Sequence, residues 1–188
     1  MLGVAVLLGL AIPSMGASAA QVRVLDLENR SVDPFQASPD AKAVVLLFTS
    51  TQCPISNRYA PEVRRLDEQF ASSGVVFWLV YPNPAESVED IRDHVSAFSY
   101  PGRALRDPGH ALVRLAGATV TPEAAVFDRE GRIVYRGRID DRYVSLGVDR
   151  QAPTTRDLEN ALGAVLAGRP VPNPVTRAVG CFLVDFHR

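Results

Sequence analysis

Cysteine is scarce in this chain: only Cys53 and Cys181 occur in 188 residues. Two cysteines make a poor disulfide scaffold, and a chain of this length can build a core without stapling, so reactivity is the better reading for at least one of them. Histidine is also scarce. His94, His110 and His187 are scattered, so no structural zinc is expected, and no other metal or cofactor is called for. No sign of charge dominates: a net charge of -1 and a pI near 6.3 give no field that would recruit nucleic acid or an anionic membrane surface. Internal repeats and low-complexity tracts are missing as well, and 47% hydrophobic residues suffice for one ordinary domain.

Long apolar runs are confined to the beginning. Val4 to Ile12 is apolar, Pro13 turns the chain, and Ala17-Ser18-Ala19-Ala20 is a run of small residues. Residues 1–20 therefore read as a secretory signal cleaved after Ala19 or Ala20, although no Lys or Arg precedes the apolar stretch. The run is shorter than the roughly 20 residues that span a bilayer, so no stable membrane span remains after cleavage. Export would place the chain in the periplasm or another extracytoplasmic space, where Cys53 and Cys181 could pair.

The remainder divides into a domain over residues 21–168 and a proline-rich connector and tail over 169–188, which carries Cys181. Val22 to Asp26 reads as a short edge strand. Residues 43–49 form a continuous β-branched and aromatic run, as in a strand covered on both faces. Ile55, Tyr59, Val63, Leu66 and Phe70 then recur at helical spacing up to Gly74, and Val75 to Tyr81 is a second strand, which makes a parallel βαβ unit. Ser87 with Asp90 caps another helix, a short helix follows Asp107-Pro108, and His110 reads as an exposed residue of that capping region. Residues 123–128 and 132–137 make a hairpin, and Thr154 with Asp157 begins a last helix.

Cys53 stands where the first strand gives way to the first helix. Free N–H groups and the positive end of the helix dipole favour a thiolate there. Pro61 lies within the helical pattern, either as a kink or as the start of a separate helix. Pro122 follows Thr121 just before the hairpin, in a cis or a trans bond.

The order strand, cysteine, helix, strand, helix, Thr-Pro, hairpin, helix resembles the thioredoxin-like superfamily, and within it the redoxin family that includes the alkyl hydroperoxide reductases and thiol-specific antioxidant proteins. The matches are Phe48 leading to Cys53-Pro54, Ala60-Pro61, Thr121-Pro122, and the turn Asp128-Arg129-Glu130-Gly131, which looks like that of the exported thioredoxin-like redoxins. The resemblance implies an α/β thioredoxin-like fold, a central mixed sheet with helices on both faces. It places Cys53 as nucleophile and Pro54, Ser56, Thr121 and a cis Pro122 around the substrate, with edge hydrogen bonds offered to an extended partner.

The chain also departs from that pattern. Ser56 replaces the second cysteine of a Cys-x-x-Cys pair, and Leu47 stands where thioredoxins carry a buried carboxylate. Three functions stay open. A thiol-disulfide oxidoreductase would act on a disulfide-bearing protein or small thiol, with Cys181 or an external thiol resolving Cys53. An antioxidant thiol peroxidase would oxidise Cys53 with peroxide; Ser50 matches its hydroxyl, Leu46 lacks its proline, and Arg136, Arg138 or Arg142 would have to supply its arginine. A non-catalytic redoxin domain would bind a partner, or copper between Cys53, Cys181 and an outside ligand. Cys181 itself lies in an apolar setting, where it is either an inert buried thiol or the partner of Cys53.

Overall fold

The computed structural model describes residues 22–183. The leader expected over 1–20, together with His187 in the tail, lies outside them.

Two short strands, β1 (Val24–Leu25) and β2 (Ser31–Val32), precede β3 (Ala43–Phe48), which is buried along its whole length. Helix α1 (Pro54–Ala71), β4 (Val75–Tyr81), α2 (Val88–Ala97), β5 (Ala104–Arg106) and α3 (Ala111–Ala116) follow. Then come β6 (Val120–Thr121), the hairpin β7 (Glu123–Asp128) and β8 (Ile133–Gly137), a small hairpin β9 (Tyr143–Ser145) and β10 (Val148–Asp149), α4 (Asp157–Leu166) and β11 (Cys181–Phe182). The main sheet has seven strands in the order β2-β1-β5-β4-β3-β7-β8. Parallel pairing of β3 with β4 and of β4 with β5 meets antiparallel pairing of β3 with β7 and of β7 with β8, so the sheet is mixed.

Alternation along β3 divides the core. Val45 and Leu47 face Ile55, Val63 and Leu66 of α1, Ile91 of α2 and Leu158 and Leu162 of α4. Val44, Leu46 and Phe48 face the other way, toward Leu112, Val113 and Ala116 of α3. Covering both faces explains why β3 is continuously apolar.

Most expected elements are present, and several details differ or are decided only by the structure. The edge position falls to β2, because β1 is paired on its other side to β5. Strand β5 has three residues, too few to show a period in the sequence. Helix α4 starts at N-cap Arg156 without a side-chain cap, because the Thr154 hydroxyl donates to Asp141 instead. Pro61 lies inside an unbroken α1, which rules out a separate second helix.

One buried polar chain ties this scaffold to the loop before Cys53. The Tyr81 hydroxyl is 2.9 Å from His94 Nδ1, His94 Nε2 is 2.8 Å from Asn57 Oδ1, and the Asn57 amide donates to the Thr51 carbonyl at 3.4 Å. An amide oxygen can only accept, so His94 Nε2 carries a proton and donates to Asn57, and in the neutral ring Nδ1 accepts from the Tyr81 hydroxyl. Burial disfavours its charged form and holds its pKa below 6.5. The unfolded chain therefore binds the proton more readily, and His94 contributes stability that is present above about pH 6.5 and is lost as pH falls toward the folded value. In urea unfolding between about pH 5 and 7, the midpoint should fall on acidification, and His94→Gln should flatten that dependence.

Candidate active site

Cys53 is the N-cap of α1, in extended conformation with φ -84° and ψ 110°, and Pro54 occupies the first turn, where its missing N–H costs nothing. The thiol is 1% exposed and donates to the Thr121 carbonyl at 3.0 Å. The Thr121-Pro122 bond is cis. Ser56, Thr121 and Pro122 are buried beside this point, whereas Pro54 is exposed on the outer side of the helix start.

The tail reaches the same place. Its connector runs along β8, where the Arg136 N–H donates to the Pro174 carbonyl and the Thr176 N–H donates to the Arg136 carbonyl, each at 2.9 Å. Strand β11 then pairs antiparallel with β6, setting Cys181 opposite Thr121 and Phe182 opposite Val120, and the Leu183 N–H donates to the Thr119 carbonyl at 3.0 Å. Gly180 makes the approach possible, since a Cβ there would overlap the Thr121 carbonyl. As a result Cys181 Sγ lies 2.9 Å from Cys53 Sγ, a non-bonded contact longer than the roughly 2.05 Å of a bonded pair but short enough for the two to join with a small shift. Both cysteines are free thiols, Cys53 buried and Cys181 exposed. Of the two settings left open for Cys181, the structure gives the exposed one beside Cys53, because the residues that look apolar in sequence form a strand across the edge of the domain.

The two sulfurs differ in acidity. Burial alone would push the Cys53 thiol up, but a hydrogen bond from the Cys181 thiol and the Ser56 N–H outweigh it and hold Cys53 below the usual thiol value. The Ser56 hydroxyl, outside ordinary hydrogen-bond geometry, adds to the same effect. Although Cys181 is exposed at the surface, partial desolvation of its sulfur against the domain and the neighbouring Cys53 push it up to about 11.

Sequence reasoning missed Glu86. The carboxylate expected six residues before the cysteine is absent, yet Glu86, 3% exposed, reaches the active loop from the far side of Pro82-Asn83-Pro84. Its Oε1 accepts from the Ser50 hydroxyl at 2.7 Å, the Thr51 N–H at 2.7 Å and the Thr51 hydroxyl at 2.9 Å. Its signal in the sequence was an acid directly before the Ser87 cap, which reads as a helix-start charge. His110 is a second correction: it is 6% exposed with φ 54°, and its Nε2 lies 3.1 Å from the Pro82 carbonyl. The start of α3 is held instead by Asp107, whose carboxylate accepts from the N–H groups of Ala111, Leu112 and Val113.

The three arginines considered as helpers have other partners. Arg136 donates to the Gly117 carbonyl at 2.6 Å, Arg138 pairs with Asp157 at 2.7 Å, and Arg142 lies 3.8 Å from Asp149.

Residues 15–162 match the family model described as Redoxin, a span that takes in Cys53 and Pro122 and stops before Cys181. The chain belongs to the Redoxin family. No curated protein matches it. Among solved structures, this redoxin is similar to a hypothetical protein from Sinorhizobium meliloti, with 26% identity and a TM-score of 0.75 over 92% of this chain and 94% of that one. It is similar also to an uncharacterized conserved protein from Geobacillus kaustophilus, with 25% identity and a TM-score of 0.77 over 95% and 100% of the two chains. A secreted Mycobacterium tuberculosis disulfide oxidoreductase, homologous to E. coli DsbE, shares the fold at 18% identity and a TM-score of 0.53, over 79% of this chain and 96% of that one.

Two substitutions test the geometry of this redoxin. Cys181→Ala removes the main hydrogen bond favouring the Cys53 thiolate, so alkylation of Cys53 at neutral pH, corrected for its changed exposure by comparison at high pH, should slow by about tenfold. Gly180→Val should drive the two-residue strand off β6, and oxidative coupling of the two cysteines, followed by mass spectrometry, should slow by at least roughly tenfold while the core unfolds as before.

Proposed function

We propose that this redoxin is a thiol-disulfide oxidoreductase that uses Cys53 as nucleophile and Cys181 as resolving thiol. The observation that carries the reading is the 2.9 Å approach of the two sulfurs across the β6–β11 pairing. The Cys53 thiolate attacks one sulfur of a partner disulfide, forming a mixed disulfide and releasing the partner's other sulfur as a thiolate, which takes up a proton. Cys181, after losing its proton, attacks the Cys53 sulfur and expels the partner's remaining thiolate. The partner gains two electrons and two protons, and a Cys53–Cys181 disulfide is left on the protein.

Unequal acidities suit this order. Cys53 is the more acidic thiol, held below the usual thiol value, and Cys181 is the more basic sulfur and so the stronger nucleophile once deprotonated. The Thr121 carbonyl and the β6 edge would receive an extended partner once β11 lifts away. The engagement of Ser50 with Glu86, and of Arg136, Arg138 and Arg142 with their own partners, favours disulfide exchange over peroxide reduction. Among the described residues no helix is long and apolar enough to cross a membrane. We place the activity outside the cytoplasm, on disulfide-bearing proteins or small disulfides, as the leader-like residues 1–20 suggest.

With an insulin-type or glutathione disulfide as substrate, Cys53→Ser should lose activity to the uncatalysed rate. Cys181→Ser should make a single turnover and hold the partner on Cys53, visible by mass spectrometry. If both variants reduce the disulfide as fast as the natural sequence, the proposal fails.

A further inference from the structure

The proposed cycle leaves a Cys53–Cys181 disulfide that an external thiol must reopen. We infer that this thiol enters at Cys181: the mixed disulfide of the regenerating step is carried by the tail cysteine, and Cys53 leaves as the free thiolate. This inference rests on the proposed oxidoreductase reading and assigns the second half of its cycle.

Access comes first. Exchange requires the attacking sulfur, the attacked sulfur and the leaving sulfur to lie close to one line, so the attacked atom must be reachable from the side away from its partner. Cys53 is 1% exposed, capped by the Thr121 carbonyl and by β11 itself. Cys181 is exposed. It also lines a cavity of about 90 Å3 with Ser50, Asn83, His110, Thr121 and Leu183, a set that does not include Cys53. That is room for a thiol-bearing side chain or the cysteinyl end of a small thiol, but not for a folded body. Phe182, 79% exposed beside this cavity, offers the incoming molecule an apolar contact at its rim.

Chemistry agrees with access. A disulfide opens faster when the sulfur that departs is the more acidic one. The Ser56 N–H favours the Cys53 thiolate and stays in place when the Cys181 sulfur is bonded elsewhere, which makes Cys53 the better leaving group, whereas a Cys181 thiolate is disfavoured by its surroundings. In the first step the external thiolate bonds to the Cys181 sulfur, the S–S bond breaks, and its electron pair goes to Cys53. A second external thiolate then attacks the external sulfur of that mixed disulfide and releases Cys181, which takes up a proton. Two thiols are oxidised to one disulfide, and both cysteines return reduced. Compared with an exchange loop that holds both cysteines at one helix start, the sulfur facing the regenerating thiol is here the one on the tail strand.

The test uses the intact protein, oxidised to the intramolecular disulfide and confirmed as such by mass spectrometry. Glutathione is added, the reaction is quenched with acid within the first turnover, and free thiols are blocked with N-ethylmaleimide before peptide mapping. The expected species carries glutathione on Cys181 and maleimide on Cys53, in at least tenfold excess over the reverse arrangement. Glutathione found chiefly on Cys53, or divided evenly between the two, overturns the inference while leaving the oxidoreductase reading intact. Failure of the two cysteines to form any intramolecular disulfide overturns both.

Discussion

The pairing of β11 with β6 is the contact on which the candidate site depends. It is a ladder of two residues, yet it brings together two cysteines 128 positions apart in the chain. A pairing this short has little stability of its own. It is held by what flanks it: the connector bonded along Arg136, the Leu183 N–H on the Thr119 carbonyl, and Gly180, whose lack of a side chain lets the two backbones meet. The same strand therefore brings the second sulfur and covers the first, which is why Cys53 is buried and Cys181 is not.

Around that contact the domain acts as a rigid mount. The two faces of β3 are packed by different helices, so Phe48 and the loop after it emerge at a fixed point of the sheet. Glu86 gathers Ser50 and Thr51 from one side, and the Tyr81-His94-Asn57 chain reaches Thr51 from the other. Buried polar groups of this kind hold their geometry because each broken bond would strand a desolvated partner. The helix start then tunes the thiol: Ser56 stands where a second cysteine would complete a loop pair, and its N–H stabilises the Cys53 thiolate instead of offering a competing sulfur.

Much of this was legible in the residue order. The unbroken apolar run of β3, the helical spacing of Ile55 to Phe70, the Ser87-Asp90 capping box and the turn at Asp128 to Gly131 each specify a local conformation by a local mechanism. Cys53 stood out because its position at a strand-to-helix junction is itself local. Glu86 was missed and His110 misread for the opposite reason. An acid before a helix cap and a histidine after Asp-Pro look like solvated residues, and only the packing of β4, α3 and the active loop buries them. Strand β5 and the pair β6–β11 are too short to carry a period, so their existence follows from their neighbours.

The sequence by itself determined the element order, the reactive thiol at a helix start, the missing second loop cysteine, and the glycine and prolines that free the tail to cross the domain. The tertiary structure alone decided where that tail lies, which carboxylate supports the loop, and which sulfur faces outward. The physical reason is range. Propensity, capping and dipole effects act over a few neighbouring residues, whereas the meeting of Cys181 with Cys53 depends on strand edges and burial that exist only once the chain has folded.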